Sequence, residues 1–128
     1  MEVTAIPAIN ERDIGSAHRT RKDRITAIER YTGMLRESPE GERFKRGRLQ
    51  LRIAEQELLL GTKKSRDASR RDAMAAFELL STVSPLEDTG MGLREELGNL
   101  EQLANRLGCG RLAKKARDYV WTRWRTSF

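Results

Sequence analysis

The apolar residues of this chain recur at the spacing of α-helices, and no segment alternates with the two-residue period of a β-strand. A first helix is predicted from about Asp13 to Arg36, because its second half is amphipathic. The predicted buried face of that half carries Ile25, Ile28, Tyr31 and Leu35. Residues 1–12 predict an extended N-terminal arm, followed by a single helical domain over residues 13–128.

A second helix is predicted to begin with Ser38 as its N-cap and Pro39 at its first position, and to end at Gly61. Its apolar stripe, over residues 44–60, is wide enough to predict burial on two sides. Two settings fit such a stripe, the centre of a helical bundle and the seam of a homodimer. Gly47 interrupts the stripe and should cost about 1 kcal/mol relative to alanine unless a close helix contact requires glycine.

Three more helices follow the second one. Residues 62–66 predict a basic turn, and a third helix runs from about Asp67 until Ser84-Pro85 ends it. A fourth helix, with leucines at regular helical spacing, ends at Gly108, and a fifth runs from about Gly110 to Trp124. We therefore predict an all-α protein, a compact bundle of about five helices. The longest apolar run is Leu58 to Leu60, so no integral membrane segment is predicted, because a span needs about 20 apolar residues.

The C-terminal pair of helices, residues 99–120, resembles the helix-turn-helix of bacterial regulators. The small Ala104 in the first helix and Gly108 four residues later carry the resemblance, since they permit close packing and a tight turn. The resemblance implies that the second helix faces DNA with Arg111, Lys114, Lys115 and Arg117. The chain departs from the pattern where that family has branched apolar residues, because Lys114 and Arg117 stand there. An ordinary αα-hairpin closed by a glycine is the alternative.

The charge of the chain is banded. The net charge is +6 and 19 of the 25 basic residues are arginine. The net charge is −1 over residues 1–42, +5 over 43–83, −4 over 84–103 and +6 over 104–128. A positive balance of this kind favours encounter with polyanions and says nothing about the fold.

The residue types that catalysis and metal binding use most are scarce. The sequence has one histidine, His18, and one cysteine, Cys109. We therefore predict a protein that is not an enzyme and has neither a cofactor nor a metal site. A single cysteine cannot form an internal disulfide, which favours a reducing compartment, cytoplasmic or, in a eukaryotic or viral protein, nuclear.

Two regions are the candidate binding surfaces. Residues 63–71 hold five positive charges against Asp67, at a helix start where the dipole disfavours them, so an anionic partner is expected. In the C-terminal tail, arginine and tryptophan could stack on bases, anchor a protein interface or pack on the core, the last more so for Trp124 than for Trp121. The candidate residues are Lys63, Lys64, Arg66, Arg70, Arg71, Arg111, Lys114, Lys115, Arg117, Trp121, Arg123 and Arg125.

These features predict a non-enzymatic protein that binds nucleic acid, DNA or RNA, through arginine-rich surfaces that read charge or shape. The alternative is a regulatory or adaptor protein that contacts an acidic protein partner through its helical faces. A homodimer through residues 44–60 is compatible with both functions.

Overall fold

The computed structural model describes residues 20–84 and 91–125, and these two ranges contain five helices. The all-α prediction and the number of helices are confirmed. The helices are α1 (Arg21–Glu37), α2 (Arg43–Leu60), α3 (Lys63–Leu80), α4 (Met91–Arg106) and α5 (Gly110–Arg125). The predicted arm over residues 1–12 and the predicted first residues of the first helix, 13–19, lie outside the described residues. The single domain over residues 13–128 stays a prediction.

Helix α2 lies at the centre of the bundle, with α1 on one side and α3 and α4 on the other. Leu49 and Ile53 of α2 pack with Tyr31 of α1 in a small apolar cluster. Leu51 and Ala54, on the other side of α2, belong to the main core that α3, α4 and α5 complete. Burial of the wide stripe on two sides is thus confirmed, and the centre of a bundle is its setting.

Gly47 lies where α2 and α3 approach most closely. A Cβ atom at this position would lie 2.6 Å from Cδ2 and 2.7 Å from Cγ of Leu80, a side chain that is fully buried. The glycine therefore allows a helix contact that alanine would block, and this contact offsets the low helix propensity of glycine.

Ser38 does not begin the second helix, so that prediction was wrong. Its backbone N–H donates to the carbonyl of Leu35 at 3.2 Å and its hydroxyl donates to the carbonyl of Met34 at 2.8 Å. Both bonds satisfy carbonyls in the last turn of α1, so Ser38 caps the end of α1 instead.

A short turn separates Ser38 from α2, which begins at Arg43 with Glu42 at its N-cap. The N–H of Glu42 donates to the carbonyl of Pro39 at 3.1 Å, so the Ser-Pro pair opens a turn rather than a helix. The guanidinium of Arg46 donates to the carbonyls of Leu35 and Ser38 at 3.0 and 2.9 Å and thereby fastens this turn to the start of α2.

The third helix begins at Lys63, so the basic turn predicted over residues 62–66 was also wrong. Thr62 and Ser65 form a capping box: the Thr62 hydroxyl accepts from the N–H of Ser65 at 3.0 Å, and the Ser65 hydroxyl accepts from the N–H of Thr62 at 3.1 Å. A serine here occupies the third helical position, where glutamate or glutamine is usual, which hid the signal in the sequence. Lys63 and Lys64 therefore belong to the first helical turn.

Helix α4 ends in a Schellman motif, which confirms the predicted glycine stop. Gly108 has a positive φ of 74°, its N–H donates to Asn105, and the N–H of Cys109 donates to the carbonyl of Ala104 at 2.8 Å. Helix α5 starts at Gly110 as predicted and packs against α4 through Leu112, Ala113 and Ala116.

Candidate nucleic-acid interface

The basic start of α3 lies against the turn between α4 and α5. The Arg66 guanidinium donates to the carbonyl of Arg106 at 2.9 Å, and that of Arg70 donates to the carbonyl of Leu107 at 3.3 Å. Carbonyls at a helix end lack partners within the helix, so these arginines cap the C-terminus of α4. The two predicted basic clusters, on α3 and on α5, are thereby brought together at one end of the bundle, near Arg111.

These contacts explain part of the positive charge at the start of α3. The negative end of the α4 dipole stabilises cations there, and Arg70 also forms an ion pair with Asp67 at 2.9 Å. Arg66 and Arg70 thus have a structural role that the sequence did not indicate, because their carbonyl partners lie 40 and 37 residues further along the chain.

The start of α1 reaches the same end of the bundle. Tyr31 of α1 packs beside Leu49 and Ile53 of α2, so the two helices are antiparallel neighbours, and the ten residues before Tyr31 extend about 15 Å toward the end of α2. We call this region the basic end. It consists of Arg21, Lys22, Lys63, Lys64, Arg66, Arg106 and Arg111.

Several side chains of the basic end are exposed, and two carboxylates at the same helix starts have partners of their own. Lys63, Lys64 and Arg111 are exposed. Of the carboxylates near the same helix starts, Asp23 accepts from the N–H of Thr20 in the capping box of α1, and Asp67 is bound by Arg70. Sequence reasoning did not include Arg21 and Lys22 in any site, although the hairpin of the first two helices would have placed them at the end of the bundle where the third helix begins.

Three candidates on α5 are exposed as predicted but differ in their contacts. The ammonium of Lys114 binds Asp118, and Arg117 lies 3.3 Å from Glu101 of α4. Exposed pairs of this kind are worth about 0–1 kcal/mol, so an anionic ligand can displace them. Lys115 lines a shallow groove beside the end of α3 and lies away from the basic end. Arg71 is exposed on α3.

The C-terminal tail divides into a packed part and an exposed part. The guanidinium of Arg123 donates to the Tyr119 hydroxyl at 2.8 Å and lies 5.4 Å from the ring of Trp124, which packs on the core. Trp121 is 65% exposed. Core packing therefore accounts for Trp124 and Arg123 but not for Trp121. Arg125 ends α5, and its side chain lies outside the described residues.

A second group of charges, missed by sequence reasoning, is buried between α2 and α4. Arg52 forms ion pairs with Glu55 at 2.6 Å and with Glu96 of α4, while Arg48 binds the other Glu96 oxygen at 2.9 Å. Burial opposes the charge of Arg52, but the two carboxylates outweigh it and raise the pKa of the guanidinium above its usual value. The positions of Arg52 and Glu55 on the otherwise apolar stripe of α2 could have indicated this buried group, because residues at such positions face inward.

The carboxyl group of Glu57, near the end of α2, is held in its neutral form. Burial, then the hydrogen bond and the negative charge of Asp72, raise the pKa of Glu57 to about 9, although Arg71 acts in the opposite direction. Gln50 donates to Asp72 at 2.8 Å. Glu57 therefore carries a proton at neutral pH.

Comparison with known proteins adds no relative: no family model, curated protein or solved structure matches this chain. Within residues 20–84 and 91–125, the acidic side chains and Cys109 form no group suited to hold a metal ion. None of the helices in these two ranges combines the length and the apolar character that crossing a membrane demands.

Proposed function

We propose that the protein binds nucleic acid through its basic end, mainly by phosphate contacts. The observation that carries the proposal is the contact of the start of α3 with the α4–α5 turn, which joins cations from two separate parts of the sequence. The start of α1 lies at the same end of the bundle, on the other side of α2. Each phosphate neutralised by a lysine or arginine releases condensed counterions, which provides a binding free energy that does not depend on base sequence.

Side chains rather than helix dipoles supply the positive potential of this end. Helices α3 and α5 begin here beside Lys63 and Arg111, but α2 and α4 end here, so the positive and negative ends of the dipoles offset each other. The proposal does not include base-specific reading, because flexible cations at helix starts position a backbone rather than identify bases. A protein of this kind would act in the cytoplasm, or in the nucleus of a eukaryotic host.

The test is fluorescence anisotropy with labelled duplex DNA, duplex RNA and single strands over a series of salt concentrations. The informative variant replaces Lys63, Lys64 and Arg111 with alanine and leaves Arg66 and Arg70, which cap α4, unchanged. We expect the slope of log affinity against log salt to become shallower by about 2–3 for duplex DNA, since each phosphate contact contributes about 0.9.

A matched control loses the same charge at the opposite end of the bundle, with Arg36, Lys45 and Arg94 replaced by alanine. These three side chains are exposed, and we expect the control to keep the slope of the wild-type protein. Affinity that does not change with salt, or equal losses in both triple variants, would contradict the proposal, because a uniform effect of net charge needs no particular surface.

The alternative function is that of an adaptor for an acidic protein partner. Exposed Trp121 favours it, because tryptophan and arginine are the residues enriched where protein interfaces bind most strongly. The homodimer through residues 44–60 stays a prediction. Phe44, Leu58, Leu59 and Leu60 at the two ends of that stripe are half-buried, while its middle is covered by the other helices. Purified protein without a raised 260/280 nm absorbance ratio that binds no probe at low salt would favour the adaptor.

A further inference from the structure

The outward face of α5 leads from the basic end to an exposed tryptophan. Leu112, Ala113 and Ala116 point into the core, so the opposite face of the helix presents Arg111, Lys114 and Trp121 to solvent. These three positions follow one another at spacings of three and seven residues, which keeps them on one stripe. Arg111 and Trp121 are about 15 Å apart along the axis, the length of a few nucleotides.

The two tryptophans of α5 differ in exposure, and packing on the core explains the position of Trp124 alone. The Trp124 ring packs on the core and has the Arg123 guanidinium 5.4 Å from its centre. The Trp121 side chain is 65% exposed, the most exposed of the large apolar side chains in the described part of the chain. Most of the Trp121 indole is therefore open to solvent and available to a ligand that can stack on it.

We propose that the strand bound at the basic end is single-stranded nucleic acid, which continues along the outward face of α5 and stacks a base on Trp121. This inference rests on the nucleic-acid function proposed above and names the ligand class. An indole can stack only on a base whose face is open, and the bases of a regular duplex are already stacked on each other.

Charge along the same face favours a strand over an acidic protein surface as the occupant. Lys114 is already paired with Asp118, and Arg117 with Glu101, so two of the three cations in the middle of α5 are balanced by carboxylates. An acidic protein surface would pair its carboxylates with the cations of the basic end, but the separate site around Trp121 carries little net charge for it to bind. A single strand supplies phosphates for the first and bases for the second within one molecule.

Intrinsic fluorescence tests the stacking directly. The probes are oligothymidylate and a duplex of equal length, and the reporter variant is Trp124→Phe, in which all tryptophan emission comes from Trp121. We expect oligothymidylate to quench this emission at saturation and the duplex to leave it nearly unchanged. The complementary variant, Trp121→Phe, should lose the quenching and keep most of the affinity, because phenylalanine can also stack.

Affinity provides the second measurement. Trp121→Ala should weaken oligothymidylate binding by roughly 5- to 150-fold, the range for loss of one stacked base, and change duplex binding by less than about 2-fold. Circular dichroism should stay that of the wild-type protein, because the side chain is exposed.

The outcomes separate this inference from the function on which it rests. Salt-dependent binding of both probes without quenching, or equal losses for both probes in Trp121→Ala, would overturn the stacking and leave the basic end as a duplex or phosphate site. The absence of binding to either probe at low salt would overturn both proposals and direct attention to the adaptor function.

Discussion

The arginines of α2 and the cations of the basic end come from equally basic parts of the sequence but are used in opposite ways. Arg52 is almost completely buried, with its charge balanced by Glu55 and Glu96 inside the bundle. Lys64 and Arg111 are exposed, in the first turns of α3 and α5. The density of basic residues is therefore a poor guide to binding until each residue is placed relative to the apolar stripe of its helix.

The difference has an energetic consequence. A buried ion pair is costly to form and more costly to break, because the partner left behind keeps its charge without its counterion. An exposed cation can be removed with little effect on folding, so its effect should be seen on a ligand. Helix α2 should therefore respond to substitution in stability, and the basic end in affinity.

Replacement of the buried arginine should have the largest effect. We expect Arg52→Met to lower the free energy of unfolding by about 3–5 kcal/mol, because Glu55 and Glu96 would remain buried without their cation. The matched control, Lys64→Met at the basic end, should change it by less than about 0.5 kcal/mol. Urea denaturation followed by circular dichroism measures both values.

A compensated variant sharpens this comparison. Arg52→Met combined with Glu55→Leu and Glu96→Leu removes the whole charged group, and the stability should return to near or above that of the wild-type protein. A single variant as stable as the wild type would mean that the ion pairs are not formed in solution. Failure of the triple variant to recover would mean that the network is required for packing as well as for charge balance.

Glycine substitutions test how tightly α2 is held in the interior. Gly47→Ala should lower the free energy of unfolding by about 1–3 kcal/mol, because the added methyl group would overlap Leu80. Gly98 of α4 is a matched control, because a Cβ atom there would have no atom within 4 Å. Gly98→Ala should stabilise the protein by about 0.5–1 kcal/mol through helix propensity alone. Equal signs for the two substitutions would argue against the close contact of α2 with α3.

The sequence predicted the helices and the burial of α2 on two sides because the helical period of apolar residues is a local signal. Two helix starts were misplaced because a capping residue can belong to either of two neighbouring helices or use an unusual partner. Ser38 caps the end of α1 rather than the start of α2. Thr62 forms its capping box with Ser65, where a glutamate is usual. The outward position of Arg111 followed from the same period, whereas Lys63 and Lys64 were predicted in a turn and lie in the first turn of α3. The capping of α4 by Arg66 and Arg70 did not follow from this period, because it depends on how distant segments pack.

The charge network shows the same limit. Arg52 and Glu55 could be placed on the buried stripe from their spacing, but Glu96 lies 44 residues from Arg52 and joins it only through the packing of α4 on α2. Long-range pairs of this kind leave no periodic pattern in a single sequence. They decide which basic residues remain for a ligand, so the candidate site could be only partly predicted.

Glu57 stands between the two regions and should have the smallest effect, one that depends on pH. Its carboxyl group faces Asp72 rather than an arginine, and its pKa is raised from 4.5 in the unfolded chain to about 9. Between these values the folded protein holds a proton that the unfolded chain has lost, so stability should fall as pH rises from about 5 to 9. One proton limits the slope to about 1.4 kcal/mol per pH unit, and the half-exposed position reduces it.

Glu57→Gln isolates this contribution, because an amide donates to Asp72 as the protonated acid does and cannot ionise. We expect the variant to match the wild-type protein near pH 5 and to become progressively more stable than it toward pH 9, in urea denaturation at several pH values. Glu78→Gln on the exposed face of α3 provides the control and should run parallel to the wild type. A difference between Glu57→Gln and wild type that stays constant with pH would mean that Glu57 is ionised throughout. The carboxyl groups of Glu57 and Asp72 would then behave as exposed surface groups do, rather than as the buried charges of α2 do.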